Sequence, residues 1–421
     1  MNERTFLKLI KTSEGIIILI FCGRYIVNSR LVGNWIESYL DYTRKSEPPI
    51  LYKTWTAISV IAACMRRKCK LKWGTIDIYP NLYIVLVGPP GRCRKGTAMS
   101  VGESFLRELG IKLSSSSITR EALIHQLKTS SDTHIDANGK MYLHSSLTIF
   151  SKELTVFLGY NNQQLMADLT DWFDCGDVWE YRTKNMGTDD ITGVWVNLIG
   201  ATTPDLLNST LPKDAIGGGL TSRMIFVYEQ DKDHTEVAPF LNKKEIKLAE
   251  DLLVDLEKIA MLQGDFTASE EYIERFSSWY AKADSTPPPF DDYRFAPYFE
   301  RKPTHLWKLS MILNAARTSS MHLEAEDFEA ALHLLERTEV LMRYTFSGYG
   351  KNRDADTLTR ILAIIGNKKK ISISELQRIT YLDADSKTLD NIITTITNME
   401  YVTMSFEGHD KYLVYNENYK R

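Results

Sequence analysis

Short apolar runs alternate with amphipathic stretches through the first half of the chain. The run Leu82–Val87 is unbroken and rich in β-branched residues, which is typical of a strand buried on both faces. The same pattern predicts strands at Leu147–Phe150, Val194–Ile199 and Met224–Tyr228, and helices at Ala98–Leu109, Glu121–Lys128 and Gln163–Phe173. Strands that alternate with helices indicate an α/β layer structure with a mainly parallel sheet, which we assign to residues 81–230.

The segments before this core have a different pattern. Apolar residues recur at helical spacing in Trp35–Thr43 and Ile50–Arg67, and a hairpin is predicted after them, so residues 31–80 form a helical segment and a hairpin. Residues 1–30 are an extension. The apolar run Gly15–Gly23 within it has about half of the roughly 20 residues that cross a bilayer. We expect no membrane association, and we leave open whether the extension belongs to the fold.

Beyond the core the pattern is helical. Helices are predicted at Lys243–Met261, Ser269–Lys282, Thr304–Ala316 and Ala325–Tyr344. We therefore expect no further strands in residues 231–350. Residues 351–421 form a separate small domain, with helices predicted at Thr357–Ile365, Ile373–Thr380 and Ser386–Met399 and a hairpin around Gly408. Three helices and a hairpin are the pattern of a winged helix.

Composition narrows the function classes. The net charge of −3 and the hydrophobic content of 43% are ordinary for a globular protein. There is no bulk positive charge to attract nucleic acid, so any such contact needs local patches. The five cysteines form no CxxC pair, and their odd number argues against a disulfide framework. We interpret them as reduced thiols of a cytoplasmic protein.

The strongest candidate for chemistry follows the strand Leu82–Val87. A phosphate loop needs glycines that let backbone N–H groups surround phosphates, a lysine for the β- and γ-phosphates of ATP, a hydroxyl for Mg²⁺ and a helix N-terminus. The residues that we assign to nucleotide binding are Gly88, Pro89, Pro90, Gly91, Arg94, Lys95, Gly96 and Thr97, with Thr97 also a ligand of Mg²⁺. The spacing departs from GxxxxGK[ST], because Lys95 stands one position further from the first glycine and Gly96 separates it from Thr97. The alternative is a Gly/Pro turn with solvated arginines.

An acidic site is expected at the end of a neighbouring strand. There, Leu147–Phe150 is followed by Ser151 and Glu153 instead of the usual acidic pair. Glu153 is the candidate general base for the attacking water, and Ser151 is a weak or water-mediated ligand of Mg²⁺. The alternative for Glu153 is an ordinary acid in the first turn of a helix.

Two further segments suggest a family. Residues 196–204, VNLIGATTP, resemble the strand that ends in the sensor-1 polar residue of AAA+ ATPases. Residues 217–226, GGGLTSRMIF, resemble the segment that carries the arginine finger in MCM-type helicases. Together with the phosphate loop, from about Trp35 to Gly350, the chain resembles a helicase- or primase-associated P-loop family of phages and mobile elements, of AAA+ and superfamily-3 helicase type.

The resemblance implies roles for individual residues. It implies an AAA+-like P-loop core followed by an α-helical lid in residues 231–350. Glu153 would be the water-activating acid, Thr203 the sensor-1 residue and Arg223 a finger that acts on the nucleotide of a neighbouring subunit. The altered acidic pair and loop spacing put fast hydrolysis in doubt more than nucleotide binding. The alternative for Arg223 is an arginine at the start of an edge strand, paired with a surface acid.

Two weaker candidates come from the same resemblance. The loop before the sensor strand holds Tyr181, Arg182 and Lys184, and an aromatic beside cations suits base stacking and phosphate contact, so we name it as a DNA-binding hairpin. A solvated surface hairpin is an equal alternative. Arg301, in a segment predicted to open a helix, is a weak candidate for a second sensor.

These observations lead to two main hypotheses. The first is a DNA-stimulated ATPase that assembles as a homo-oligomeric ring on single-stranded or forked DNA, during replication of a phage or mobile element in the cytoplasm of a prokaryotic host. The second is an ATP-dependent oligomeric switch or loader that recruits a replication partner with little hydrolysis. A third, weaker interpretation is a DNA-binding regulator whose winged helix is the active part.

Overall fold

The protein is an α/β structure with two compact units. The computed structural model describes residues 8–11, 17–20, 30–135, 139–183, 187–212, 215–283, 285–346, 355–381, 384–407 and 410–416. The first unit ends at Ser347 and the second begins at Gly348. None of the helices in these described ranges combines the length and the apolarity that crossing a membrane requires.

The elements follow in chain order. The strands are β1 (Lys8–Lys11), β2 (Ile17–Ile20), β3 (Cys69–Trp73), β4 (Ile76–Ile78), β5 (Tyr83–Val87), β6 (Ser131–Ile135), β7 (Met141–Ser151), β8 (Val178–Thr183), β9 (Gly187–Thr192), β10 (Val194–Thr202), β11 (Met224–Tyr228), β12 (Gly264–Ala268), β13 (His322–Leu323), β14 (Lys370–Ser372), β15 (Val402–Glu407) and β16 (Asp410–Tyr415). The helices are α1 (Trp35–Tyr42), α2 (Ile50–Met65), α3 (Lys95–Glu108), α4 (Arg120–Thr129), α5 (Leu154–Leu158), α6 (Gln163–Phe173), α7 (Pro204–Thr210), α8 (Lys243–Ala260), α9 (Glu270–Ala283), α10 (Ala296–Arg317), α11 (Ala325–Met342), α12 (Ala355–Lys368), α13 (Ile373–Thr380) and α14 (Ser386–Asn398).

The main sheet has five strands in the order β11-β5-β10-β7-β6. The first four are parallel, and the edge strand β6 runs antiparallel to β7. Val87, the last residue of β5, lies opposite both Thr202 and Tyr228, and Ser151 lies opposite Gly200. The ends of the four parallel strands therefore meet at one edge of the sheet, which we call the carboxyl edge. The opposite edge, where these strands begin, is the amino edge.

Helix α2 lies at the centre of the first unit. All of its residues from Leu51 to Met65 are buried except Thr54, as expected for a helix that is apolar on every side. It packs against α3, α8, α10 and β10. The indole N–H of Trp55 donates to Thr338 Oγ1 on α11 at 2.9 Å. The helical region after the sheet thus packs into the same unit as the sheet.

A second sheet corrects one expectation. Strands β12 and β13 follow the core, in a region where the sequence predicted helices alone, and they join β3 and β4 in the order β13-β12-β3-β4. Strand β12 is short and buries only Phe266 fully, so its sequence, GDFTA, carries no periodic signal. Pairing with β3 makes it a strand, and that pairing is a long-range contact.

The second unit has its own core. Helices α12 to α14 pack with a three-stranded antiparallel sheet of order β14-β16-β15. The buried residues at its centre include Ile361, Ile365, Ile392, Ile396 and Leu413. The predicted helices and hairpin are present, and β14 is an additional strand that begins at Lys370, the last residue of a lysine triplet.

Candidate functional site

The predicted phosphate loop connects β5 to α3 at the carboxyl edge. The N–H of Gly88, its first residue, donates to the carbonyl of Thr202 at the end of β10, at 3.4 Å. A Cβ on Gly88 would come within 2.4 Å of the Glu229 carbonyl oxygen and 2.6 Å of Tyr52 Oη. Only glycine fits this close approach, so the loop is anchored tightly between β10 and the end of β11.

The loop leaves several amide groups without partners. Gly91 has a φ of +69° and Arg94 has a φ of +53°, so the chain turns sharply before α3 begins at Lys95. In the described ranges, the N–H groups of Gly91, Cys93, Arg94, Lys95 and Gly96 donate to no other group. The glycine that usually precedes the lysine of a phosphate loop is Arg94 here, and the structure shows why glycine suits the position: its backbone is left-handed. The unpaired amides and the helix N-terminus favour an anion.

Lys95 points back onto its own loop. Its Nζ donates to the carbonyl oxygens of Gly88 at 2.6 Å and Pro89 at 3.0 Å. The side chain is half-buried, and this burial lowers the pKa of the ammonium group. A phosphate oxygen that replaces these neutral carbonyls would form a stronger hydrogen bond with the ammonium group, because the new bond joins two charged groups.

The hydroxyl predicted for Mg²⁺ is displaced along the helix. Thr97 is exposed on the first turn of α3, two residues after Lys95. The usual place for this hydroxyl, directly after the lysine, is occupied by Gly96. A Cβ added at Gly96 would meet no described atom within 4 Å.

The acidic site lies at the same edge but not on an adjacent strand. Strand β7 ends at Ser151, which is buried, and β10 lies between β7 and β5. Glu153 is the N-cap residue of α5, yet its side chain makes no capping bond within the described residues, and it is exposed. Its negative charge is close enough to oppose the effect of burial on the pKa of Lys95. Among the described residues, the Glu153 carboxylate therefore has no hydrogen-bond partner, and it is close enough to interact electrostatically with Lys95.

Thr203 caps a helix. Its Oγ1 accepts the N–H of Leu206 at 3.3 Å as the N-cap of α7, just after β10 ends. The residue before it, Thr202, is buried at the strand end and accepts the N–H of Gly88 through its carbonyl. The polar contact from this strand to the phosphate loop is thus made by Thr202, which the sequence did not single out.

The loop arginines are paired with acids from distant segments. Arg94 Nε donates to Glu47 Oε2 at 3.0 Å, and Lys232 Nζ donates to Glu47 Oε1 at 2.7 Å. The hydrogen bond from Lys232 is the main reason that the pKa of Glu47 is lowered to about 2. Arg92 pairs with Asp231. These partners follow from long-range packing, so no local signal in the sequence points to them.

Arg223 lies at the amino edge. It ends a short 3₁₀ turn directly before β11, which is an edge strand of the main sheet. Only 7% of its surface is exposed. Its Nη2 pairs with Asp174, and its Nη1 donates to the Gly219 carbonyl at 2.9 Å. Because β5 has five residues and spans about 16 Å, Arg223 is far from the phosphate loop of its own chain. The arrangement matches the alternative of an arginine paired with a surface acid.

The hairpin β8–β9 contains the three residues proposed for DNA. The ring of Tyr181 stacks on Trp179 at 6.1 Å, and the Arg120 guanidinium lies 4.8 Å from the Tyr181 centroid. Arg120 in turn pairs with Asp168 at 2.6 Å. Arg182 is exposed, and Lys184 lies outside the described residues. One contact surface of Tyr181 is therefore occupied from within the chain.

The sequence predicted that a helix begins at Arg301, and this prediction is wrong. Helix α10 begins at Ala296, and Pro303 lies inside it. A proline removes one backbone donor but does not end this helix, so the boundary was misplaced. The Nε of Arg301 donates to Ser222 Oγ at 3.1 Å, next to Arg223.

The chain matches no family model, and no curated protein is similar to it. The roles implied by the AAA+ resemblance therefore stay predictions.

Proposed function

We propose that the protein binds Mg²⁺–ATP at the carboxyl edge of its main sheet. The observation that carries the proposal is the loop between β5 and α3. Among the described residues, the Lys95 ammonium donates only to two exchangeable carbonyls there, beside a row of unpaired amides. Lys95 and these amides would contact the phosphates. Open α/β sheets bind ligands at this edge in general, because helix N-termini and loops converge there.

The residues present fit Mg²⁺ bound together with ATP. Within the described ranges, no group of three or more acidic, histidine or cysteine side chains could hold a metal ion alone. Mg²⁺ commonly binds through one or two protein groups, waters and substrate phosphates. Thr97 and Ser151 would supply hydroxyl oxygens, and Glu153 would hold the attacking water.

Two features of the fold support an AAA+-like core with a winged-helix domain. Strand β10, which carries the sensor-like segment, lies between the phosphate-loop strand and the strand of Ser151, so all three segments meet at one edge. The second unit has three helices and a three-stranded antiparallel sheet, which is the composition of a winged helix.

The geometry favours slow hydrolysis, and so the second of our hypotheses. Gly96 removes the hydroxyl next to the lysine, Ser151 stands where an acid would hold Mg²⁺, and Arg223 is buried in its own chain. A hydroxyl after the lysine, an acid at the Mg²⁺ site and an arginine finger each normally stabilise charge in phosphoryl transfer. We therefore infer an ATP-dependent oligomeric switch or loader, which recruits a partner in its ATP-bound state.

A DNA-stimulated motor is the second candidate. It is favoured by the Glu153 carboxylate near Lys95, which would be available to hold the attacking water. Turnover measured with and without single-stranded DNA separates the two. A switch binds ATP and hydrolyses it more slowly than about 0.01 s⁻¹, the range of unassisted P-loop enzymes, with no DNA effect. Stimulation of tenfold or more by DNA would establish the motor. No ATP binding at all would refute both.

A further inference from the structure

A cavity opens at the amino edge, away from the phosphate loop. Its volume is about 520 Å³, within the usual range of small-ligand sites. It is lined by side chains that include Arg67, Lys70, Lys140, Tyr142 and His144, and we call it the amino-edge cleft. His144 belongs to β7 near its start, and Gly193, directly before β10, also lines the cleft.

His144 is the least exposed polar side chain that lines the cleft. His144 is only 1% exposed, and its Nδ1 is 2.8 Å from Ser146 Oγ, but its Nε2 has no hydrogen-bond partner in the part of the chain that the structure describes. Burial lowers the pKa of His144 to about 3, so the ring is neutral at pH 7. A buried ring nitrogen without a partner is costly, and a ligand that reaches it would recover a hydrogen bond.

The mouth of the cleft is aromatic and cationic. The rings of Tyr142 and His134 stack at 5.3 Å with an angle of 13° between their planes. Tyr142 is 37% exposed, and Lys140 Nζ lies 4.9 Å from its centroid. His134 covers one face of Tyr142, but more than a third of this side chain stays exposed. An exposed aromatic with a lysine beside it suits a base and its phosphate.

The charges of the cleft limit the ligand. Four cationic side chains line it, and three carboxylates oppose them. Lys70 pairs with Asp77 at 2.6 Å, and Arg67 pairs with Asp177 while also donating to the Val194 carbonyl at 2.8 Å. The remaining excess of one positive charge matches a single phosphodiester or monophosphate better than a triphosphate.

We propose that the amino-edge cleft binds one nucleotide unit, either within a single strand or free, with the base at Tyr142, the phosphate at Lys140 and a polar edge of the base directed towards His144. Both β8–β9 and β6–β7 begin or end at this cleft, so a strand could continue along either hairpin. The inference does not depend on ATP binding at the phosphate loop. It assigns nucleic-acid contact to the cleft, whereas the sequence assigned it to Tyr181, Arg182 and Lys184.

The test is binding of a fluorescein-labelled dT12 oligonucleotide to the full chain without ATP, measured by fluorescence anisotropy. Tyr142→Ala should weaken binding about 5- to 150-fold, the usual loss for one stacked base, and Tyr142→Phe should keep it. Tyr293→Ala is the matched control, because Tyr293 is 78% exposed and does not line the cleft. Lys140→Gln should reduce the slope of log K against log salt by about 0.7, whereas Lys243→Gln should not.

A competition arm distinguishes the two sources of the nucleotide. Displacement of dT12 by dTMP, in the wild type and in Lys95→Ala, shows that a free nucleotide enters the cleft. Loss of binding in Tyr142→Ala without displacement by dTMP shows that a strand is required, and either result supports the proposal. Absence of dT12 and dTMP binding, or binding that Tyr142→Ala and Lys140→Gln leave unchanged, would overturn it. Thermal unfolding of each variant checks that the fold is intact.

Discussion

Lys95 at the carboxyl edge and Arg223 at the amino edge are both cations withdrawn from solvent, but their partners differ. Lys95 donates to two neutral carbonyls of its own loop. Arg223 pairs with a carboxylate, donates to a carbonyl and lies beside the ring of Phe173, with its centroid 5.9 Å away. Phosphate can improve the surroundings of the lysine, whereas the arginine already has a charged partner.

We infer from this difference that Lys95 binds a ligand and that Arg223 has a structural role. Partial burial lowers the pKa of Lys95, and the two carbonyls that its ammonium group contacts carry no compensating charge. A cation already paired with an acid must lose that partner before it can act elsewhere.

Replacing Lys95 with alanine should remove most of the nucleotide affinity. Charge-assisted hydrogen bonds contribute roughly 1.5–3 kcal/mol each, so the loss of lysine contacts to phosphate predicts an increase in Kd of about 100-fold or more. Equilibrium binding of a fluorescent ATP analogue measures it. Lys112→Ala is the matched control, since Lys112 also donates to a backbone carbonyl, that of Ser131 at 2.9 Å, which belongs to the edge strand β6 and not to the loop. An affinity within threefold of the wild type would remove the phosphate-loop assignment.

Glu153→Gln should leave ATP binding unchanged and lower the remaining turnover by about 100-fold, because the amide cannot take a proton from water. Single-turnover hydrolysis of labelled ATP resolves even a slow rate. Glu121→Gln is the control, because Glu121 is an exposed acid in the first turn of another helix. If both variants hydrolyse ATP at the wild-type rate, Glu153 is an ordinary helix-start acid.

Arg223→Ala should lower the free energy of unfolding by about 1–3 kcal/mol, since it removes a buried side chain with two polar contacts. Denaturant titration measures the change. Arg92→Ala removes an ion pair whose side chains are 68% and 59% exposed, and it should cost about 0–1 kcal/mol. Equal effects of the two substitutions would show that the Arg223 pair has no special structural role.

Mixing variants tests whether Arg223 also acts on a neighbouring subunit. Arg223→Ala keeps the phosphate loop, and Lys95→Ala keeps the arginine, so a mixed oligomer contains some complete interfaces. Recovery of ATP turnover on mixing would support the finger that the resemblance predicts. The buried pair with Asp174 instead predicts that mixing restores nothing.

Gly96→Ser should have the smallest effect and act in the opposite direction. The position has space for a side chain, and the new hydroxyl would stand directly after the lysine. We expect a few-fold tighter binding of Mg²⁺–ATP, measured as a function of Mg²⁺ concentration. Gly96→Ala is the matched control, because it also replaces a helical glycine and gains up to about 1 kcal/mol of helix stability without a hydroxyl. Identical Mg²⁺ dependence of the two variants would contradict the proposed metal position.

The sequence predicted what depends on local pattern. The run Leu82–Val87 and the glycines after it identify the strand and the loop, and the helix predicted after them from Ala98 is present, although it begins three residues earlier, at Lys95. Strand β12 was missed because only its pairing with β3 makes it a strand. The partner of Arg223 is likewise invisible locally, since Asp174 is 49 residues away. The amino-edge cleft combines side chains from four separate segments, and only the folded chain brings them together.

An experimental structure with a slowly hydrolysed ATP analogue and Mg²⁺ would show whether the phosphate loop holds ATP at the carboxyl edge. We predict that the phosphates lie against the amides of Gly91 to Gly96, and that Lys95 Nζ leaves the carbonyls of Gly88 and Pro89 for the β- and γ-phosphate oxygens. The account would be contradicted if the nucleotide bound elsewhere, or if Lys95 kept both carbonyl bonds at a saturating concentration of the analogue.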